Sequence, residues 1–286
     1  MTKSFLYSAT IEDILKVYTE HSEGKSLPKL AKDYNISIES LRIVFGRNNL
    51  RILKFCKTPK YYFDKKEDYF DCIDNEEKAY LLGFIMADGS IDRSNTSKTP
   101  ELRISIQSED RNVLDILSQK ICPSKPVIIR NKRKVNWKDT ANFSVISEHL
   151  CSSLERWGVV PRKSYKDLNI PNINSDLIRH FIRGYFDGDG SIVKSIIKDN
   201  RNRLPYAYER FTVTFSGSHT LLIDINNFFA KEGIISKKVN RVKNKKHSCL
   251  VYASHIDLQK IFDILYKDSS IFLKRKYEKF AMLIPS

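Results

Sequence analysis

Residues 79–91 read AYLLGFIMADGSI, and residues 180–192 read HFIRGYFDGDGSI. Each is an apolar run that stops at Asp-Gly-Ser-Ile. Both runs predict helices that end at a glycine, with Gly89 and Gly190 at the position of a left-handed C-cap residue. Asp74 with Glu77 predicts a capping box at the start of the first. Small residues fall four apart in each, Gly83 with Ala87 and Gly184 with Gly188. Four apart is one helix face, so the two runs are able to pack closely on each other. Asp88 and Asp189 then stand at the C-terminal ends of two adjacent helices. That is the negative end of the helix dipole, which disfavours a carboxylate. Two carboxylates held together repel unless they are protonated or bridged, and a hard divalent cation with oxygen ligands resolves the conflict. Such a centre suits metal-assisted phosphodiester hydrolysis. A single Asp-Gly reads as a turn; two copies, each after a small-x-x-x-small helix, do not.

The flanking sequence repeats as well. Alternating apolar residues Leu102, Ile104 and Ile106 in one copy and Phe211, Val213 and Phe215 in the other predict strands with one dry face. Helix-like stretches follow, DRNVLDILSQKI and HTLLIDINNFFAKEG. Basic strand candidates come next, PVIIRNKRK and ISKKVNRVKNKK, then NFSVISEH and SCLVYASH. Each unit closes with an amphipathic helix and a basic tail, VVPRKSYKDL or FLKRKYEKF. The order αββαββα occurs twice, and duplication at domain scale outweighs any single motif. The predicted fold class is α+β: two pseudo-symmetric αββαββα repeats with antiparallel sheets, at 75–170 and 171–286. A small all-α domain at 1–55 and a linker at 56–74, which partly packs, precede them.

The N-terminal stretch predicts three short helices. Ser26 is a candidate N-cap with Pro28 in the first turn, Asn35 suits a left-handed helix end, and Ile36 plugs the gap before IESLRIVFGRNN. Two short helices around a tight turn resemble a helix-turn-helix, whose second helix would present Glu39, Ser40, Arg42, Ile43 and Arg47 to DNA. A helical hairpin used only for packing is the alternative.

The chain has 286 residues, 49 basic and 34 acidic, for a net charge of +15. That surplus implies a polyanionic partner, with nucleic acid ahead of a membrane surface because no basic amphipathic helix stands out. The five cysteines form no C-x-x-C and the six histidines no H-E-x-x-H, so a zinc site is not expected. The apolar runs are too short to span a membrane, and the N-terminus lacks a signal core. A soluble intracellular protein is expected, in the cytoplasm, nucleoid or an organelle matrix.

LLGFIMADG and IRGYFDGDG look like two copies of the LAGLIDADG motif, and the chain resembles a single-chain, two-repeat LAGLIDADG homing endonuclease over residues 75–286. The resemblance implies motif helices at the interface between two halves and a sheet from each half in the DNA major groove. It implies Mg²⁺, with Mn²⁺ also accepted, on Asp88 and Asp189, with the carbonyls of Ala87 and Gly188 as further ligands. Met86 departs from the motif where the second copy has Asp187; the metal-binding acid is the later one. A basic residue near each centre maps to Lys163 and Lys276, and a water-ordering polar residue to Ser105 or Gln107 and to Thr214. The sheet faces would offer DNA Arg103, Ser105, Gln107, Arg130, Lys132, Lys134, Arg210, Thr212, Thr214, Lys238, Asn240, Arg241 and Lys243, side chains of the kinds that pair with base edges or clamp phosphates. The implied activity is site-specific double-strand cleavage of a long, partly palindromic target by a monomer, in the setting of intron homing. The alternative on the same fold is a cleavage-deficient nucleic-acid binder, either an RNA maturase, with intron RNA as partner, or a transcriptional regulator. An intein fits less well, since the chain starts with Met and ends IPS. A plain helix-turn-helix repressor leaves the duplicated acids without a role.

Overall fold

The computed structural model describes residues 9–23, 25–50, 52, 64–93, 99–131, 138–163, 166–199, 206–242 and 247–282, with the side chains of 199 and 206 outside the description. The chain divides into two compact units, Met1–Phe63 and Asp64–Ser286.

The first unit holds α1 (Ile11–Ser22), α2 (Leu27–Asp33) and α3 (Ile38–Arg47). Thr10 and Asp13 form a reciprocal capping box at α1. Ser26 is the N-cap residue of α2 but makes no side-chain bond there, and Pro28 lies in its first turn. Asn35 takes φ 51° between α2 and α3, as its short polar side chain allows. Val17, Leu30, Ala31, Leu41 and Phe45 form the core, with Ile36 packed against it. Glu39, Arg42, Ile43 and Arg47 are exposed along α3.

The second unit opens with residues that pack on the first repeat. Phe70 is fully buried, and the Trp157 indole donates to its carbonyl at 2.7 Å. The first repeat runs α4 (Glu76–Asp88), β1 (Gly89–Asp92), β2 (Glu101–Gln107), α5 (Arg111–Ile121), β3 (Ile128–Arg130), β4 (Thr140–Ile146) and α6 (Glu148–Arg156). The second runs α7 (Ser175–Asp189), β5 (Gly190–Asp199), β6 (Tyr206–Gly217), α8 (His219–Lys231), β7 (Asn240–Arg241), β8 (Ser248–Tyr252) and α9 (His255–Tyr266). The expected basic tail of the second repeat is a further helix, α10 (Lys274–Ala281). The two antiparallel sheets have the orders β1-β2-β4-β3 and β5-β6-β8-β7.

Their registers match. Ile104 lies opposite Gly89 and Phe143, and Phe215 lies opposite Gly190 and Leu250. In β2 the apolar residues Leu102, Ile104 and Ile106 are buried, while Arg103, Ser105 and Gln107 are exposed. The period-two pattern therefore sets one face on the helices and leaves one open.

Helices α4 and α7 make the most extensive element pair of the unit. A Cβ on Gly83 would lie 2.0 Å from the Phe181 carbonyl oxygen, and one on Gly184 would lie 1.9 Å from that of Tyr80. No side chain fits at either position, so the backbones touch there.

Two local expectations are corrected. The N-cap of α4 is Asn75, whose side chain accepts from the Lys78 N–H at 3.0 Å. Asp74 is drawn instead to the Lys78 ammonium at 3.1 Å, and Glu77 accepts from the Tyr69 hydroxyl at 2.6 Å. Gly89 and Gly190 are extended, at φ −77° and −84°, not left-handed, because each helix passes directly into its strand. Glycine is needed there for space, since a Cβ would lie 2.7 Å from the Ile85 carbonyl oxygen or 2.4 Å from that of Phe186.

Candidate active site and nucleic-acid interface

Close packing along α4 and α7 carries their C-terminal ends to one place. A Cβ built on Gly188 would sit 2.2 Å from the Ala87 Cβ and 3.1 Å from Asp88 Oδ2. The Asp88 carboxyl is pushed up to about 6 by withdrawal from water and by the charge of Asp189, and nearby Lys163 and Lys276 act against both. Asp189 is raised as well, chiefly by desolvation.

Lys163 and Lys276 occupy matched positions. The Lys163 ammonium donates to the carbonyls of Ile85, Met86 and Ala87 at 2.9, 2.5 and 2.7 Å. The Lys276 ammonium donates to those of Phe186, Gly188 and Gly190 at 2.7, 3.2 and 2.7 Å. Each lysine thus places a positive charge at the negative end of a motif helix, beside the acid. Burial draws both lysines down to about 8. The Ala87 and Gly188 carbonyls, expected as metal ligands, accept from these lysines, and each keeps a second lone pair. Among the described residues no group of three or more His, Cys, Asp and Glu side chains could hold a metal ion. The oxygen-only pair Asp88 and Asp189 fits a hard cation that takes its remaining ligands from water and phosphate.

Beside this pair is a cleft of about 920 Å³, lined by Ala87, Lys163, Tyr185, Asp189, His219 and Arg241 among others. The Tyr185 hydroxyl donates to the Ser216 carbonyl at 2.7 Å and comes within hydrogen-bonding reach of Asp189. The first repeat has Phe84 at the matching place.

Several residues that organise the site escaped the reading of the sequence. Arg183 is fully buried. It donates to Glu76 of the first repeat at 2.6 Å, to the carbonyls of Ile271 and Leu265, and lies 2.8 Å from His180 Nδ1. Buried Asp187 accepts from Tyr80 of the first repeat at 2.7 Å, from Tyr266 at 3.1 Å and from the Leu273 N–H at 2.7 Å. The last bond anchors the start of α10 and so the placement of Lys276. Burial pushes the Asp187 carboxyl up to about 6. A signal was available: aligning the two phrases puts Arg183 and Asp187 opposite Leu82 and Met86, a charged pair where the first copy is greasy. Arg275, next to Lys276, makes a two-bond ion pair with Asp110 of the first repeat, both at 2.8 Å.

On the open sheet faces, Arg103, Ser105, Gln107, Arg130, Arg210 and Asn240 are exposed, and Thr212 and Thr214 are half-buried; Lys238, exposed too, precedes β7. Arg241 is exposed but pairs with buried Ser248, on the face turned toward the helices, and lines the cleft instead. Lys132, Lys134 and Lys243 lie outside the described residues. The shared register makes Ser216 the counterpart of Ser105, and Thr214 the counterpart of Arg103. Among the described residues no helix is long and apolar enough to cross a membrane.

Residues 176–266 match the family described as LAGLIDADG-like domain. The structure resembles that of the meganuclease I-SmaMI bound to uncleavable DNA, at 12% identity and TM-score 0.51, over 71% of this chain and 88% of that one. It also resembles the LAGLIDADG meganuclease I-AabMI bound to uncleaved DNA, at 13% identity and TM-score 0.51, over 73% and 89%. A curated relative, the replication factor C small subunit of Methanocaldococcus jannaschii, is 26% identical over 223 residues, which are 75% of this chain. The chain spans about a tenth of that relative's length. The second repeat is thus a LAGLIDADG-like domain, and the protein has the LAGLIDADG fold in its single-chain, two-repeat form.

Proposed function

We propose that this protein is a homing endonuclease: a monomer that cuts both strands of duplex DNA at a long, partly palindromic site, using Mg²⁺ or Mn²⁺. The observation that carries this reading is the meeting of Asp88 and Asp189 at the α4–α7 seam, each with a lysine on the adjoining helix end. A divalent cation held by the two acids would offset their repulsion, activate water and stabilise the leaving oxygen. The protein's own part is to fix the two carboxylates, to hold Lys163 and Lys276 where each can polarise a scissile phosphate or its solvent, and to seat the duplex on the sheet faces. The DNA complexes of I-SmaMI and I-AabMI support duplex DNA as the partner. The positive net charge supports it too.

The test is a selection on a randomised duplex library with Mg²⁺, sequencing cut ends and bound, uncut fragments separately. One long cut site establishes the reading. Bound but uncut DNA favours the regulator, and binding of RNA alone favours the maturase.

Two further outcomes are expected. Lys276→Ala lowers the single-turnover rate on the order of 10–100-fold while Kd changes little, because its ammonium sits beside the acid and not on an open face. A change in affinity alone would remove Lys276 from the active site. Deleting residues 1–63 weakens DNA binding by roughly tenfold or more near physiological salt and flattens its dependence on salt, because Arg42 and Arg47 are exposed on α3. Equal affinity with and without this unit would make it a packing module and not a helix-turn-helix reader.

A further inference from the structure

The two sheets share one register, so their open faces can be compared position by position. Counting from the paired residues Gly89 and Ile104 in one sheet and Gly190 and Phe215 in the other, Asp92, Glu101 and Arg103 correspond to Val193, Thr212 and Thr214. The chemistry at these matched places is opposite.

In the first sheet, Arg103 Nη1 lies 2.7 Å from Asp92 Oδ2. Its Nη2 lies 2.6 Å from Glu101 Oε2, and its Nε–H donates to the same oxygen at 2.7 Å. A guanidinium has five N–H donors. These contacts engage three and leave one on each terminal nitrogen, donors of the kind that the O6 and N7 acceptors of a guanine take. The pairs are exposed, with 55% of the Arg103 side chain open, so they add little to stability. They also put two carboxylates on a face meant for a polyanion. A phosphate contact would be weakened by that arrangement. A base contact is improved by it, because the carboxylates hold the fork in one orientation.

In the second sheet the matched positions carry no charge. Val193 is 48% exposed and lies opposite Thr212. Thr214 lies opposite Ser191 and Val251. An open valine beside threonine methyls has nothing to offer a guanine and matches the C5-methyl group of thymine.

We propose that the two repeats read different bases at this register-equivalent position: the buttressed Arg103 reads a guanine, and the Val193–Thr212–Thr214 patch reads the methyl group of a thymine. The target therefore breaks two-fold symmetry at a defined base pair. The inference rests on the duplex-DNA reading above but needs only binding, not cleavage.

The experiment is a binding selection with the full chain on a randomised duplex library without divalent metal, repeated with Arg103→Ala and Val193→Ala. The expected wild-type site carries G·C at one position and T·A at its mirror. Arg103→Ala reduces the guanine preference at that one pair from roughly 10–100-fold to a few-fold and leaves the other positions as they were. Replacing the mirrored thymine by uracil, which removes only the methyl group, weakens wild-type binding by about 2–5-fold and has a smaller effect on Val193→Ala, which keeps the threonine methyls. The proposal is overturned if Arg103→Ala weakens all sequences alike, if uracil and thymine bind equally, or if the mirrored bases are identical. Wild-type protein that binds no duplex would overturn the duplex-DNA reading itself, a result distinct from symmetric binding.

Discussion

Asp88→Asn abolishes cleavage, by at least about 10³-fold, and at the same time makes the metal-free protein more stable. The second half follows from the sign of the linkage. The Asp88 carboxyl in the folded chain is pushed up to about 6 from its ordinary 3.8. A raised acid favours the folded state while protonated and opposes it once ionised. Its cost is absent below the unfolded value, grows as pH rises from there through about 6, and is complete at pH 7. Asparagine removes it. Asp88 is partly open to solvent, so the net gain is roughly 1–2 kcal/mol, or about 3–6 °C in Tm for a unit of this size. The check is a melting series from pH 4 to pH 8 without metal. The difference between wild type and Asp88→Asn should vanish near pH 4 and level off by pH 7. Adding Mg²⁺ should raise the Tm of wild type and not of the variant. Asp189→Asn should lose cleavage in the same way, with a stability gain that appears as pH rises above the ordinary carboxylate value, since desolvation raises its carboxyl too. Intact cutting by either variant would remove the paired acids from the mechanism. A drop in Tm at pH 7 would mean that the carboxylates hold the seam together instead of straining it.

Gly184→Ala destabilises the second unit by about 3 kcal/mol or more. The added Cβ would lie 1.9 Å from the Tyr80 carbonyl oxygen and 2.8 Å from its carbon. Both are backbone atoms of a helix whose hydrogen bonds hold them in place, so no rotamer change relieves the overlap. The two helices must separate, and the cost falls at or above the upper end for overpacked cores. Gly83→Ala meets the Phe181 carbonyl at 2.0 Å and should behave alike. Molecules that stay folded would carry Asp88 and Asp189 farther apart, so cleavage falls by more than the unfolded fraction explains. Gly46→Ala is the control. It lies in α3, where a Cβ meets nothing within 4 Å, and the higher helix propensity of alanine should stabilise the first unit by roughly 0.5–1 kcal/mol. Urea unfolding of the three variants decides the matter. A mild effect at Gly184 would mean that α4 and α7 can separate there at little cost.

Much of this protein was determined by local pattern. Strict alternation in LRISIQS and FTVTFSG set the strands and the face each buries, because side chains alternate across a strand whatever surrounds it. Small residues four apart specified that α4 and α7 would pack along one face, and that placed Asp88 and Asp189 together. Tertiary structure decided which partner each polar side chain meets, near or far in the chain. Asn75 displaced Asp74 as the cap because Asp74 and Glu77 found Lys78 and Tyr69. Gly89 and Gly190 serve for space because each helix feeds straight into a strand. The Arg183–Glu76, Asp187–Tyr80 and Arg275–Asp110 bonds join residues 107, 107 and 165 positions apart. The carboxylate buttress on Arg103 likewise needs the β1–β2 register to bring Asp92 beside it. Periodicity is a property of the backbone and is written residue by residue. Which charge meets which is settled only when the folded chain brings distant segments within a few ångströms of each other.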